Sequence, residues 1–275
     1  MASICDKLDL SRQAYYKKYE AKKAAETDEK QVVKWVKAIR RIHPKRGAKK
    51  LYNTLKPRFK CHGIRLGRDR FIELLRSHNL LVKNRRKYQR TTQSDHHYFK
   101  YPNLIKDMIL SHRNQVWVSD ITYISTHEGF LYLSLITDAY TRKIVGYEVN
   151  DTLEAVGCIR ALKKAFRGLE KWEKPIHHSD RGIQYCCKMY TSLLRKKGLK
   201  ISMTEVDHCA ENALAERVNG ILKGEYMLDF KFHSKLDAII CCKEAIRLYN
   251  TDRPHYSINL AIPSEFHEAS IGPRA

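Results

Sequence analysis

Val116-Trp117-Val118-Ser119-Asp120-Ile121-Thr122-Tyr123-Ile124 is a run of β-branched and aromatic residues interrupted by one carboxylate. Such a composition reads as a largely buried strand. An ionised Asp120 inside it is costly unless it is paired or binds a cation. Downstream, Glu128-Gly129 marks a turn, Phe130 to Ile136 a second strand, Thr141-Arg142 another turn, and Lys143 to Val149 a third strand. These three form an antiparallel meander. A helix over about 153–168 follows, with Ala161, Leu162, Ala165 and Phe166 as its apolar residues. Then come a short strand at Pro175-Ile176-His177-His178, a helix over about 185–197, a short strand from Leu199 to Met203, and a final helix over about 210–224. The order βββαβαβα predicts an α/β fold with a mixed five-stranded sheet and flanking helices.

Strand ends are where open α/β sheets present chemistry. Asp180 sits at one, in His178-Ser179-Asp180-Arg181-Gly182. Asp120 and Asp180 offer hard oxygen donors of the kind divalent cations take. Two such cations about 3.5–4 Å apart can activate a nucleophile and relieve charge during phosphodiester cleavage. A third carboxylate would come from Glu211, Glu216 or Glu225. At about 100° per residue, Leu214, Val218 and Ile221 share one helix face, with Glu211 and Glu225 toward it. Glu216 points away, beside Asn212, Asn219 and Lys223, a setting that suits metal and phosphate contact. An ordinary solvated helix residue is the other reading of Glu216.

The segments Val116 to Tyr123, His178-Ser179-Asp180-Arg181-Gly182-Ile183-Gln184-Tyr185 and Glu211-Asn212-Ala213-Leu214-Ala215-Glu216-Arg217 together resemble the integrase core of IS3-family insertion-sequence transposases. That family's pattern is two Asp and a Glu with 35 residues before the Glu, the spacing from Asp180 to Glu216 here. The resemblance implies an RNase H-like fold and selects Asp120, Asp180 and Glu216 as catalytic residues and metal ligands for two Mg²⁺ ions, with Mn²⁺ as a substitute. It implies hydrolysis of a strand at the element's end, which frees a 3′-OH, and attack by that hydroxyl on a second phosphodiester. It also implies DNA recombination and integration as the outcome, a homo-oligomer on DNA, and an upstream-frame protein as partner or frameshift fusion. Glu211 departs from the Asp that many relatives carry there, without touching a proposed ligand. Tyr249-Asn250-Thr251-Asp252-Arg253-Pro254-His255-Tyr256-Ser257 resembles the family's tail motif.

Upstream, the pattern is helical and basic. Ile4, Leu8 and Leu10 precede Ser11, a good N-cap, and residues 1–25 read as two short helices, either part of a helix-turn-helix or an amphipathic arm. Val32, Trp35, Val36 and Ile39 fall at helical spacing up to the break at His43-Pro44. Leu51 and Leu55 mark a second helix stopped near Pro57, and Phe71, Leu74 and Leu75 a third. The all-α region 26–90 reads as a helix-turn-helix-like DNA-binding module. Arg65, Arg68, Arg70, Lys83, Arg85, Arg86 and Lys87 are its candidate DNA contacts, with His178, Asn212 and Lys223 added from the core. Residues 91–113 read as a linker, and 114–268 as the catalytic core with a C-terminal helix and tail.

The net charge of +22 fits a polyanionic partner, double-stranded DNA at the element's ends and at the target. No apolar run of about 18 residues points to a membrane. Eight cysteines include no C-x-x-C, which argues for free thiols in a reducing compartment. The resemblance implies a bacterial, cytoplasmic and nucleoid-associated protein. Absence of the His-His-Cys-Cys zinc module also points to the bacterial branch. A catalytically silent DNA-binding regulator and a hydrolysis-only nuclease of the same fold are the alternative functions.

Overall fold

The computed structural model describes residues 11–82, 97–205 and 212–272. The expectations for Ile4, Leu8, Leu10, Lys83, Arg85, Arg86, Lys87 and Glu211 lie outside the described residues. The chain divides into two compact units, Met1–Arg85 and Arg86–Ala275.

The described residues of the first unit form three helices: α1 (Arg12–Ile42), α2 (Ala48–Cys61) and α3 (Arg68–Ser77). Ser11 caps α1, its hydroxyl accepting from Ala14 N–H at 3.1 Å. Of the two short helices expected over residues 1–25, the one that follows Ser11 does not stop near 25 but runs unbroken to Ile42, because Glu20 to Gln31 are almost all strong helix formers and no Gly or Pro intervenes before Pro44; residues 1–10 lie outside the described residues. The second helix also passes through Pro57 to Cys61. Burial of Phe59 against Trp35, Tyr52 and Phe71 carries it over the lost hydrogen bond. Val32, Val36, Leu51, Leu55, Phe71 and Leu75 complete this core, on the faces the periodicity indicates.

The second unit is built on a sheet of order β3-β2-β1-β4-β5. Its strands are β1 (Val116–Thr126), β2 (Gly129–Asp138), β3 (Ile144–Asn150), β4 (Ile176–Ser179) and β5 (Ile201–Met203). β1–β2 and β2–β3 pair antiparallel, whereas β1–β4 and β4–β5 pair parallel. This is the mixed RNase H-like sheet. Side chains alternate across it. One face packs on α4 (Ala155–Arg167) and α6 (Lys188–Lys196) through Trp117, Ile136, Leu162, Tyr190 and Leu194. The other packs on α7 (Ala213–Glu225) and α8 (Lys235–Thr251) through Ile124, Leu133, Val218, Leu222, Cys242 and Tyr249. Gly146 lets β3 approach α4 closely, since a Cβ there would run into Ala161 and Ala165.

Three local features differ from expectation. The helix expected over 185–197 is split into α5 (Ile183–Cys186) and α6, because Cys187 is extended. The described part of the expected linker packs on the sheet: Tyr98 and Tyr101 join the α4–α6 side, and Ile105, Met108 and Leu110 lie against Val116, Val118, Ala139 and Ala215. The Pro102 carbonyl accepts from Met203 N–H at 3.3 Å, which covers part of edge strand β5. Beyond α7 the chain continues through α8 to α9 (Pro263–Ala269).

The tail motif ties α7 and the outer strand to α8. Asn250 pairs with both the N–H and C=O of Ile144, each at 2.9 Å. Buried Arg253 forks onto Glu225 with two bonds of 2.8 Å. Glu225 thus serves as a structural anchor for the end of α7.

Candidate active site

Register brings the two aspartates together. Ser119 of β1 stands beside Ser179 of β4, so Asp120 and Asp180 follow at the next step on neighbouring parallel strands. Asp120 is partly buried and held from two sides. Its Oδ1 accepts from Ile121 N–H at 2.8 Å, and its Oδ2 from the Asn219 amide at 2.7 Å. Burial pushes its carboxyl up to about 7, with Asp180 and, least, Glu216 adding to the rise; the two hydrogen bonds oppose it. Asp180 Oδ1 accepts from Gly182 N–H at 3.0 Å. A Cβ on residue 182 would stand 2.9 Å from that oxygen, so this carboxylate position requires Gly182.

Glu216 lies in the first turn of α7, exposed, one turn ahead of Asn219. Among the described residues no three His, Cys, Asp or Glu side chains lie close enough together to hold one ion. Asp120 feels the charge of Asp180 and, more weakly, that of Glu216. The donors fit a divalent cation: hard oxygens on adjacent strands, one of them raised toward neutrality by burial and by the charge beside it.

Periodicity grouped Asn212 and Asn219 with Glu216 on an outer face. Both are buried, facing β1. Asn212 donates to the Ser119 carbonyl at 3.3 Å. The contact of Asn219 with Asp120 is the feature of the candidate site that the sequence did not disclose; the available signal was an amide three residues after the glutamate. Beneath the aspartates, His177 Nε2 lies 2.8 Å from both Ser119 Oγ and Tyr190 Oη. Burial, followed by His178, pushes His177 down to about 3, so it stays neutral at physiological pH.

The other candidate contacts separate by exposure. His178 is fully buried, with Nδ1 2.8 Å from Ser202 Oγ, so it packs a strand end and offers no surface to DNA. Buried Asn212 is corrected in the same way. Lys223 is half-buried; burial lowers its pKa, and Asp120 and Asp229 oppose that shift, so its ammonium shares the electrostatic field of the aspartates. In the helical unit Arg65, Arg68 and Arg70 are exposed. Arg68 pairs with Asp69 at 2.9 Å and Arg70 with Glu29 at 3.3 Å, pairs that screening keeps weak.

Two matches to the integrase core domain family span residues 111–209 and 197–263, which include all three carboxylates. The 31 kDa protein of insertion element IS600 from Shigella sonnei is 34% identical over 96% of this chain and 97% of its own length. The chain belongs to the IS3 family of transposases. The transposase for insertion sequence element IS629, also from Shigella sonnei, is 27% identical over 98% of this chain and 93% of its own. In fold, the transposase is similar to a chain of the simian T-cell lymphotropic virus intasome solved with PP2A regulatory subunit B56 gamma. The TM-score is 0.51 at 16% identity, over 83% of this chain and 77% of that one. It is a transposase of the polynucleotidyl-transferase type. No helix among the described residues is long and apolar enough to cross a membrane.

Proposed function

We propose that the transposase cleaves DNA at the ends of its insertion sequence and joins the freed ends to new phosphodiesters, using Asp120, Asp180 and Glu216 as ligands for two Mg²⁺ ions that Mn²⁺ can replace. The observation that carries this reading is the adjacency of Asp120 and Asp180 on parallel strands, with Asn219 gripping one of them from the helix that bears Glu216. Bound cations would lower the pKa of a water nucleophile and offset the charge of the phosphate. Asn219 orients Asp120, Gly182 leaves room for Asp180, and Lys223 adds positive charge where a phosphate would lie. Glu216 swings from the exposed flank of α7 to complete the set.

In this reading residues 26–90 engage the element's ends and 114–268 perform the chemistry. The protein works as a homo-oligomer on double-stranded DNA, with an upstream-frame protein as partner or fusion, in the bacterial cytoplasm at the nucleoid. Labelled end DNA incubated with Mg²⁺, Mn²⁺ or EDTA tests the chemistry. Metal-dependent 3′-end cleavage and strand joining, both lost in Asp120→Asn, Asp180→Asn and Glu216→Gln while binding persists, is the expected result. Cleavage without joining would indicate a nuclease. Binding without chemistry from the chain alone and from its upstream-frame fusion would indicate a regulator.

A further inference from the structure

α1 has two unlike faces along its length. At about 100° per residue, Val32, Trp35, Val36 and Ile39 fall on one side. That side packs in the three-helix core. Lys23, Lys30, Lys34, Lys37 and Arg41 fall about 180° away, in steps of 7, 4, 3 and 4 residues, and all five are exposed. None of the five takes part in an ion pair among the described residues. Tyr16 and Tyr19 continue the same line toward the N-terminus, 52% and 57% exposed. Glu26 is the acidic residue nearest the stripe.

Among the described side chains of α1 the first buried one is Val32, so the turns before it have no buried face in the described part of the unit. An isolated helical stretch of this length is marginal in water, so a partner along it would stabilise it. The stripe's chemistry selects that partner. Five unpaired cations in a row repel a second copy presenting the same face and attract a regularly spaced polyanion. From Lys23 to Arg41 the cations span roughly 27 Å at 1.5 Å per residue, within the about 34–36 Å of one turn of duplex DNA.

We infer that this stripe of α1 lies across phosphates of duplex DNA, holding DNA without reading its sequence. The inference rests on the transposase reading, which supplies DNA as the polyanion. It assigns the holding task to residues distinct from Arg65, Arg68 and Arg70, which remain the candidates on the α2–α3 side of the unit. Lysine and arginine contacts to phosphate position a protein on a duplex, and base-edge contacts specify where.

The test uses the full chain carrying Lys30→Gln, Lys34→Gln, Lys37→Gln and Arg41→Gln together. Glutamine is close to lysine and arginine in helix propensity, and the four sites are exposed, so far-UV circular dichroism should match the parent. Affinity is measured by fluorescence anisotropy against salt, on an end duplex and on an unrelated duplex. Each phosphate that is no longer neutralised takes about 0.9 from the slope of log affinity on log salt, so the slope should fall by about three to four on both duplexes. Lys30→Arg, Lys34→Arg and Lys37→Arg together should keep the parental slope. So should Glu216→Gln, which separates this inference from the fate of the proposed triad. An unchanged slope in the glutamine variant would overturn it. So would a loss confined to the end duplex, or altered self-association at constant slope, which would identify a second copy as the occupant.

Discussion

Replacing Asp120 with asparagine should make the metal-free protein more stable at pH 8, although it removes a proposed catalytic group. Burial, Asp180 and Glu216 raise the folded-state pKa of Asp120 from 3.8 to about 7. The folded state therefore keeps this proton up to about pH 7, whereas the unfolded chain releases it near 3.8. Between those limits the folded state binds more protons, so stability falls as pH rises. Above about 7 both states are ionised and the full penalty is present. About three pH units at 1.36 kcal/mol each correspond to roughly 4 kcal/mol. Solvent reaching part of Asp120 lowers this, so a gain on the order of 2–4 kcal/mol is expected for Asp120→Asn at pH 8. The asparagine oxygen can still accept from Asn219. Urea unfolding of the full chain in EDTA, at pH 5 and pH 8, measures the difference between parent and variant, which cancels the titration of groups not coupled to Asp120. The difference should be large at pH 8 and shrink toward pH 5. A variant no more stable than the parent at pH 8, or an equal difference at both pH values, would refute the reasoning.

Asn219→Leu removes a charge-assisted hydrogen bond of about 1.5–3 kcal/mol, so the Asp120 carboxyl should rise by a further one to two pH units, read by carbon NMR of labelled aspartate. Cleavage at pH 7 should fall about 10- to 100-fold in the same variant, measured by gel assay on end DNA. Gly182→Ala pushes on the Asp180 carboxylate and should slow cleavage by about a hundredfold while shifting stability by under about 1 kcal/mol, measured by cleavage assay and urea midpoint. Arg253→Met strands Glu225 and should cost about 3 kcal/mol, at the low end for a buried pair because Glu225 keeps 24% of its side-chain exposure; adding Glu225→Leu should return part of the loss.

Much of the fold that carries the candidate site is legible because its signals are local. Val116 to Ile124 carries strand chemistry, Gly129 with φ 109° and Arg142 with φ 67° sit at the two expected turns, and the order of elements yields a mixed sheet. The core faces of the three N-terminal helices follow from period alone. What was not legible depends on tertiary contacts. No local rule shows that residues 98–110 pack on the sheet, since their apolar residues have neither helical nor strand period. Burial of Phe59 outweighs the stop signal of Pro57. The same holds at the site. A helical wheel orients Asn219 relative to its own helix but not relative to β1, so a polar outer face and a polar face pressed on Asp120 look alike in sequence. His178 illustrates the converse: a histidine two residues from a proposed metal ligand that the fold buries against Ser202.

The most direct test of the central claim is strand joining by the purified transposase on labelled end DNA with Mg²⁺, beside Glu216→Gln. The triad account predicts 3′-end cleavage and joined products from the parent, none in EDTA, and none from Glu216→Gln although it binds the same DNA with parental affinity. Joining that persists in Glu216→Gln would contradict it, because Glu216 would then be no more than a solvated residue on the flank of α7.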